Sequence, residues 1–210
     1  MIVTEQKPFD EIKKNLIGLS NIFIIGCGEC ATSCQTGGEK EVEEMAELLS
    51  KEGKNIVGKI VIESPCDKRL VQKYFKIHQE AIKNADALLI MACGAGAGAI
   101  RDLTDKKIVP ALNGLYLGTT ERLNNFKEYC KLCKICILGI TDGYCPTSRC
   151  AKGLLNGPCG GSVNGKCEKD LTSDCVWALI IKRLKEKNEL EKLFEIKEPR
   201  NYSRLIKEKN

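Results

Sequence analysis

Residues 21–38 read NIFIIGCGECATSCQTGG. The stretch opens with a short β-branched and aromatic run that ends at Gly26, which predicts a buried strand feeding a loop. After Gly37 and Gly38 the chain sets Val42, Met45, Ala46 and Leu49 at helical spacing, and Gly53 suits the stop of a helix over 39–50. Asn55 to Glu63, NIVGKIVIE, is a second strand. Ser64 or Asp67 can then cap a helix that turns Leu70, Tyr74, Ile77 and Ala81 inward. Ala87 to Ala92, ALLIMA, is a continuous apolar run of the kind found in strands covered on both faces. A short helix through Ile100–Leu103 and a strand at 107–112 complete a β-α-β-α-β-α-β alternation, which predicts a small parallel α/β sheet. Such sheets bind ligands in the loops at the carboxyl ends of their strands, and both CGEC and CGAG fall at such ends.

From about Cys130 the character changes. Gly, Pro and Cys dominate and the apolar periodicity stops, until a helix from Asp174 to Lys187 places Val176, Trp177, Ile180, Ile181 and Leu184 inside. The fold class is therefore α/β: a small parallel sheet domain over 1–125, a cysteine-rich, metal-organised irregular domain over 126–188 that ends in the C-terminal helix, and a charged tail over 189–210. The composition of the tail admits either a docking arm or partial disorder.

Hydrophobic content of 43% and charged content of 29% describe a globular chain able to bury a core. No run reaches the roughly 18–20 apolar residues of a membrane span, and the first fifteen residues lack the layout of a signal peptide, so a cytoplasmic protein without membrane insertion is expected. Lys and Arg exceed Asp and Glu by 33 to 28, an excess read as mild and spread along the chain. With aromatics at 5%, it argues against a nucleic-acid partner.

The abnormal count is thirteen cysteines, five before residue 94 and eight from Cys130 to Cys175. An odd number cannot pair fully, and a reducing compartment keeps thiols free, so clustered thiolates imply zinc or iron–sulfur. Cys27-x2-Cys30-x3-Cys34 supplies three thiolates in a Gly-containing loop whose amides can reach cluster sulfur. Cys93, flanked by glycines at the same predicted edge, is a slightly better fourth ligand than Cys66; either can instead be a buried free thiol. Cys130-x2-Cys133-x2-Cys136 has ferredoxin-like spacing, and Cys145 precedes Pro146 as the fourth ligand of that pattern often does. Cys150, Cys159 and Cys167 compete for that place, and a separate site of Cys150, Cys159, Cys167 and Cys175 stays open, with zinc as suitable as iron there.

The glycines of CGAGAG lack the spacing and the following acidic residue of a dinucleotide fingerprint, so close backbone packing is the better reading. His78 is the sole histidine and reads as half-buried on a helix. Asp67, Asp142 and Asp170 form no dyad, so no catalytic residue is assigned, and an enzyme using the glycine loop for a nucleotide ranks last.

The segments GCGECATSCQTGG, ADALLIMACGAG, PALNGLYLGTTER and CKLCKICILGITDGYCPTSRCAKGLLNGPCGGSVNGKCE together resemble the MetV-type subunit of anaerobic methylenetetrahydrofolate reductase. The likeness runs from about residue 20 to 188, and its second half resembles the methylenetetrahydrofolate reductase C-terminal domain family. The resemblance implies an electron-transfer subunit with two 4Fe-4S clusters, with Cys27, Cys30, Cys34, Cys130, Cys133 and Cys136 among the ligands. It implies a hetero-oligomer with a flavin-containing MetF-type (β/α)8 barrel, FMN residing only in that partner, and a further electron-donor subunit as an added option. Together they would interconvert methylene- and methyl-tetrahydrofolate in the methyl branch of the reductive acetyl-CoA (Wood–Ljungdahl) pathway. The alternative implied by the same resemblance is a zinc-binding adaptor that assembles the reductase without moving electrons.

Overall fold

The computed structural model describes residues 1–199. The chain forms two compact units: Met1–Tyr116 with Thr120–Phe126, and Leu117–Thr119 with the chain from Lys127 onward. Among the described residues no helix is long and apolar enough to cross a membrane.

The first unit is built on four parallel strands in the order β3-β2-β4-β5: β2 (Asn21–Cys27), β3 (Asn55–Ile62), β4 (Ala87–Met91) and β5 (Lys107–Pro110). This is the predicted parallel α/β sheet. Residues 22–27 of β2 and all of β4 are buried at consecutive positions, which requires cover on both faces of the sheet. Each large apolar side chain buried there contributes about 1.5–3 kcal/mol. β5, which ends at Pro110, lies at the edge, where a missing amide donor is tolerated.

Helix α3 (Glu39–Lys51) buries Val42, Met45, Ala46 and Leu49 as their spacing predicts, and Glu41 accepts the Gly38 amide at 2.9 Å to start it. The next predicted helix is two. It is broken at His78 into α4 (Lys68–Ile77) and α5 (Gln79–Asn84). Val71 and Ile82 are buried, whereas Ile77, the last residue of α4 beside the break, is exposed, not inward as its spacing suggests. His78 is half-buried, its ring edge-on to Phe23 at 5.9 Å between centroids. Helix α6 (Gly94–Arg101) begins at the glycines themselves, earlier than the predicted Ile100. Among the elements that escaped the sequence reading are β1 (Ile2–Gln6), α1 (Phe9–Asn15), and the neighbours β6 (Leu112–Arg122) and β7 (Asn125–Cys130). Strands β1, β6 and β7 form a second sheet in the order β1-β6-β7.

In the second unit α7 (Pro146–Arg149) and the hairpin β8 (Lys166–Cys167) and β9 (Asp170–Asp174) precede α8 (Val176–Glu186). Val176, Trp177, Ile180 and Leu184 of α8 form a separate core with Tyr144, Leu154, Leu190 and Leu193, and Trp177 donates its indole N–H to the Leu154 carbonyl at 3.1 Å. The start of the tail is docked: Asn156 exchanges two 2.8 Å hydrogen bonds with the Lys197 backbone. The remainder of the tail, from residue 200, lies outside the described residues.

Asp67 caps α4, accepting the Arg69 amide at 2.9 Å and its guanidinium at 2.6 Å, and the Arg69 contact lowers its carboxyl to about 2. A carboxyl lowered by folding stabilises the native state above its unfolded pKa and loses that contribution as pH falls through its folded value. Asp67→Ala should therefore lower the melting temperature at neutral pH, with the gap to wild type closing between about pH 4 and pH 2. Thermal unfolding across that range checks it.

Candidate metal centres

The first cysteine loop leaves the sheet at Cys27, the last residue of β2, and turns through the short helix α2 (Cys30–Ser33) to Cys34. Gly37 brings the loop back across the strand end: a Cβ there would stand 2.2 Å from the Met91 carbonyl oxygen, so only glycine fits. Burial pushes the Cys27 thiol up, while the amides of Ala31, Glu29 and Cys30, which donate to its sulfur, pull it down; the net shift is upward. The Thr32 hydroxyl fastens the turn to the Cys27 carbonyl at 2.7 Å.

Strand β1 brings the next two sulfurs together. The Ile2 amide donates to Cys30 Sγ at 3.4 Å, and the Cys34 thiol faces the Ile2 carbonyl at 3.9 Å. Gly114 of β6 lies against both the Ile2 side chain and Cys93 Cβ, at 3.6 and 4.0 Å from where its own Cβ would be. Cys93, the N-cap of α6, thus shares the Ile2 neighbourhood with Cys30 and Cys34. Cys66 is exposed in the turn before α4, and Pro65 beside it packs against Gly96. The Gly96 contact, 3.2 Å from a would-be Cβ to Pro65 Cγ, accounts for this glycine without a phosphate.

In the second unit Cys130 ends β7. The Leu132 amide donates to its Sγ at 3.4 Å, and Leu132 and Lys134 hold φ of +51° and +60° in the turn that carries Cys133. Cys136 follows and is exposed. Cys145 N-caps α7. Burial raises its thiol, but the Ser148 hydroxyl and the amides of Ser148 and Thr147 outweigh burial, and its pKa is lowered. The single Ser148 hydroxyl proton is shared between that sulfur and the Tyr129 carbonyl, which lies 3.0 Å from Ser148 Oγ. Tyr129 precedes Cys130 and Tyr144 precedes Cys145, and the two rings hold the same Arg149 guanidinium at 5.5 and 5.1 Å. Two such contacts contribute about 1–2 kcal/mol together and draw the two Tyr-Cys pairs toward one another. Sequence reasoning missed Arg149, Tyr129, Tyr144 and Ser148. The signal was the repeated YC dipeptide, which carries no meaning until its rings are seen to share a cation.

The remaining thiols gather separately. Cys150, Cys159, Cys167 and Cys175 line one small pocket with Arg149, Lys152 and Trp177. The Gly161 amide donates to Cys159 Sγ at 3.4 Å, Lys152 pairs with Glu168 and interacts with the Cys159 sulfur, and Cys175 N-caps α8. Asp142, near the first thiol set of this unit, accepts from Lys187 and from Arg183 at 3.2 Å, which ties its turn to α8.

Among the described residues, no three Cys, His, Asp or Glu side chains already stand close enough to hold a metal ion. The chemistry of the donors nonetheless fits zinc or iron–sulfur: the sets are all sulfur, and backbone amides already donate to Cys27, Cys30, Cys130, Cys145 and Cys159.

The fold and thiols define a two-unit α/β protein with a cysteine-rich second half. Residues 109–203, just under half of the chain, match the family model described as methylene-tetrahydrofolate reductase C terminal. The match leaves out Cys27, Cys30, Cys34, Cys66 and Cys93. No curated protein and no solved structure matches the chain.

In reduced, metal-free protein, iodoacetamide should alkylate Cys145 before Cys27, because one thiol is lowered and the other raised and buried. Ser148→Ala should slow Cys145 by removing a donor to its thiolate. Peptide mass spectrometry over a time course reads both, and equal rates at Cys145 and Cys27 would contradict the assignment.

Proposed function

We propose that this chain is the iron–sulfur electron-transfer subunit of a methylenetetrahydrofolate reductase. It is of MetV type and works beside a flavin-containing MetF-type barrel that carries the FMN and the folate chemistry. The observation that carries the reading is the grouping of thiols in a chain whose cysteine-rich half matches the reductase C-terminal family. The contacts of Ile2, the sequence spacing and the pocket beside Trp177 respectively support three ligand sets: Cys27, Cys30, Cys34 and Cys93; Cys130, Cys133, Cys136 and Cys145; and Cys150, Cys159, Cys167 and Cys175. Cys66 is then the odd thiol. The first two sets suit 4Fe-4S clusters.

A bound cubane supplies one-electron steps. The chain's own residues contribute donors and shape. Amides of residues 29–31 and of Leu132 point hydrogen toward sulfur, which favours the thiolate and the more reduced, more negative state of whatever it binds. Arg149 places a fixed positive charge between the second and third sets. Buried strands β2 and β4 fix the first loop against a rigid edge.

A zinc-binding adaptor that assembles the reductase is the second reading. It is favoured at the third set alone, where Cys175 caps α8 and the four cysteines line a pocket with Trp177, a residue of the second unit's core.

Anaerobic co-expression with a flavin barrel tests the choice. The relay reading expects about eight irons with equal sulfide, EPR signals on dithionite reduction, and flavin reduction through the chain. Cys27→Ser and Cys133→Ser should each remove about half of the iron. Zinc without sulfide in fresh protein would leave only the adaptor.

A further inference from the structure

One guanidinium connects four cysteines of the second unit through the residues that precede them. Tyr129 and Tyr144, before Cys130 and Cys145, face Arg149 with their rings at 5.5 and 5.1 Å. Asp174, before Cys175, is held below the usual carboxylate range by Lys166, and the Arg149 charge adds to that effect. Arg149 itself precedes Cys150. Cys130 and Cys145 belong to the second thiol set by sequence spacing, while Cys150 and Cys175 line the pocket of the third.

The backbone makes the same connection. Helix α7 is a single turn with Cys145 at its N-cap and Cys150 at its C-cap. The Arg149 amide donates to the Cys145 carbonyl at 3.1 Å and the Cys150 amide to the Pro146 carbonyl at 2.9 Å, so the turn closes on both cysteines. Pro146, buried at the first position of the turn, fixes its own φ and stiffens the start. A displacement of Cys150 therefore carries Cys145 with it, and the Arg149 side chain passes the motion to Tyr129 at the end of β7.

We propose that Arg149 and α7 couple the two thiol sets, so that metal held at the third shapes the second to hold its own. Arg149 is a positioning residue, since it acts through residues that carry the ligands. A delocalised guanidinium serves two rings at once, which an ammonium on a flexible stem does less well. Coupling of this kind is reciprocal, so the loss of either set weakens the other. The proposal rests on the ligand sets given above and holds for zinc and iron–sulfur alike.

The test uses the full chain isolated anaerobically with its metal. Zinc, iron and sulfide are determined first; a chelator then draws the metal out while timed alkylation and peptide mass spectrometry follow each thiol. Arg149→Lys keeps every thiol and the charge, Cys159→Ser disables the third set outside α7, and the double variant completes a cycle. Arg149→Lys should speed the reaction of Cys130, Cys133 and Cys145 at least about fivefold, with the fluorescence of Trp177 unchanged. Cys159→Ser should speed the same thiols although it alters none of their set, and that effect should shrink in the Arg149→Lys background. Cys27, Cys30 and Cys34 of the first unit should keep their wild-type rates. Arg149→Lys decides alone where Cys159→Ser does not fold. Unaltered second-set rates in either single variant, additive effects in the double variant, or second-set thiols that react at once in the wild type would overturn the proposal. The expected rates in a protein holding zinc and no sulfide would keep the coupling and end the relay reading. Reducible clusters whose second-set thiols ignore both substitutions would do the reverse.

Discussion

Backbone amides aimed at sulfur are the constraint on which this chain is organised. A thiolate needs hydrogen-bond donors as much as any carboxylate does, and at buried Cys27, half-buried Cys30 and Cys145 and exposed Cys130 and Cys159 the main chain supplies them, joined at Cys145 by the Ser148 hydroxyl. Main-chain donors can be aimed only by bending the chain. The positive φ at Leu132, whose amide reaches Cys130 Sγ, and the short helical turns that start beside Cys30 and Cys145 accompany such donors.

The two units meet it in different ways. In the first, a parallel sheet with fully buried central strands provides a rigid edge, and β1 lends the amide and carbonyl of Ile2 to two different cysteines. In the second, regular structure is sparse and side chains take over. Arg149 between Tyr129 and Tyr144, and Ser148 bonded to the Tyr129 carbonyl, hold the irregular segment around Cys145 to the end of β7, and Asp142 joins it to α8. Each is a weak interaction alone, so the arrangement depends on their sharing residues.

The central sheet was legible because burial on both faces leaves unbroken apolar runs at 21–25 and 87–92, and because Val42, Met45, Ala46 and Leu49 keep one phase along α3. β1 and the β6–β7 strands were not, since their half-exposed residues carry little apolar signal and their turn depends on Asn124 at φ +60°. Ile77 misled because α4 ends at that residue, short of the single helix its spacing implies. Among the thiols, the spacing of 27, 30 and 34 and of 130, 133 and 136 was plain in the chain. The company kept by Cys93 and Cys175 was legible only as one option among several, because it depends on Ile2, Gly114 and the pocket beside Trp177, residues distant in sequence.

The central claim, that twelve thiols act in three sets of four with Cys66 apart, is tested most directly by differential alkylation of the protein as isolated under anaerobic conditions, before and after stripping by a chelator. The account predicts that Cys66 alone reacts at first and that the others are released in the stated sets. Early reaction of Cys93 or Cys175 with protection of Cys66 would contradict it.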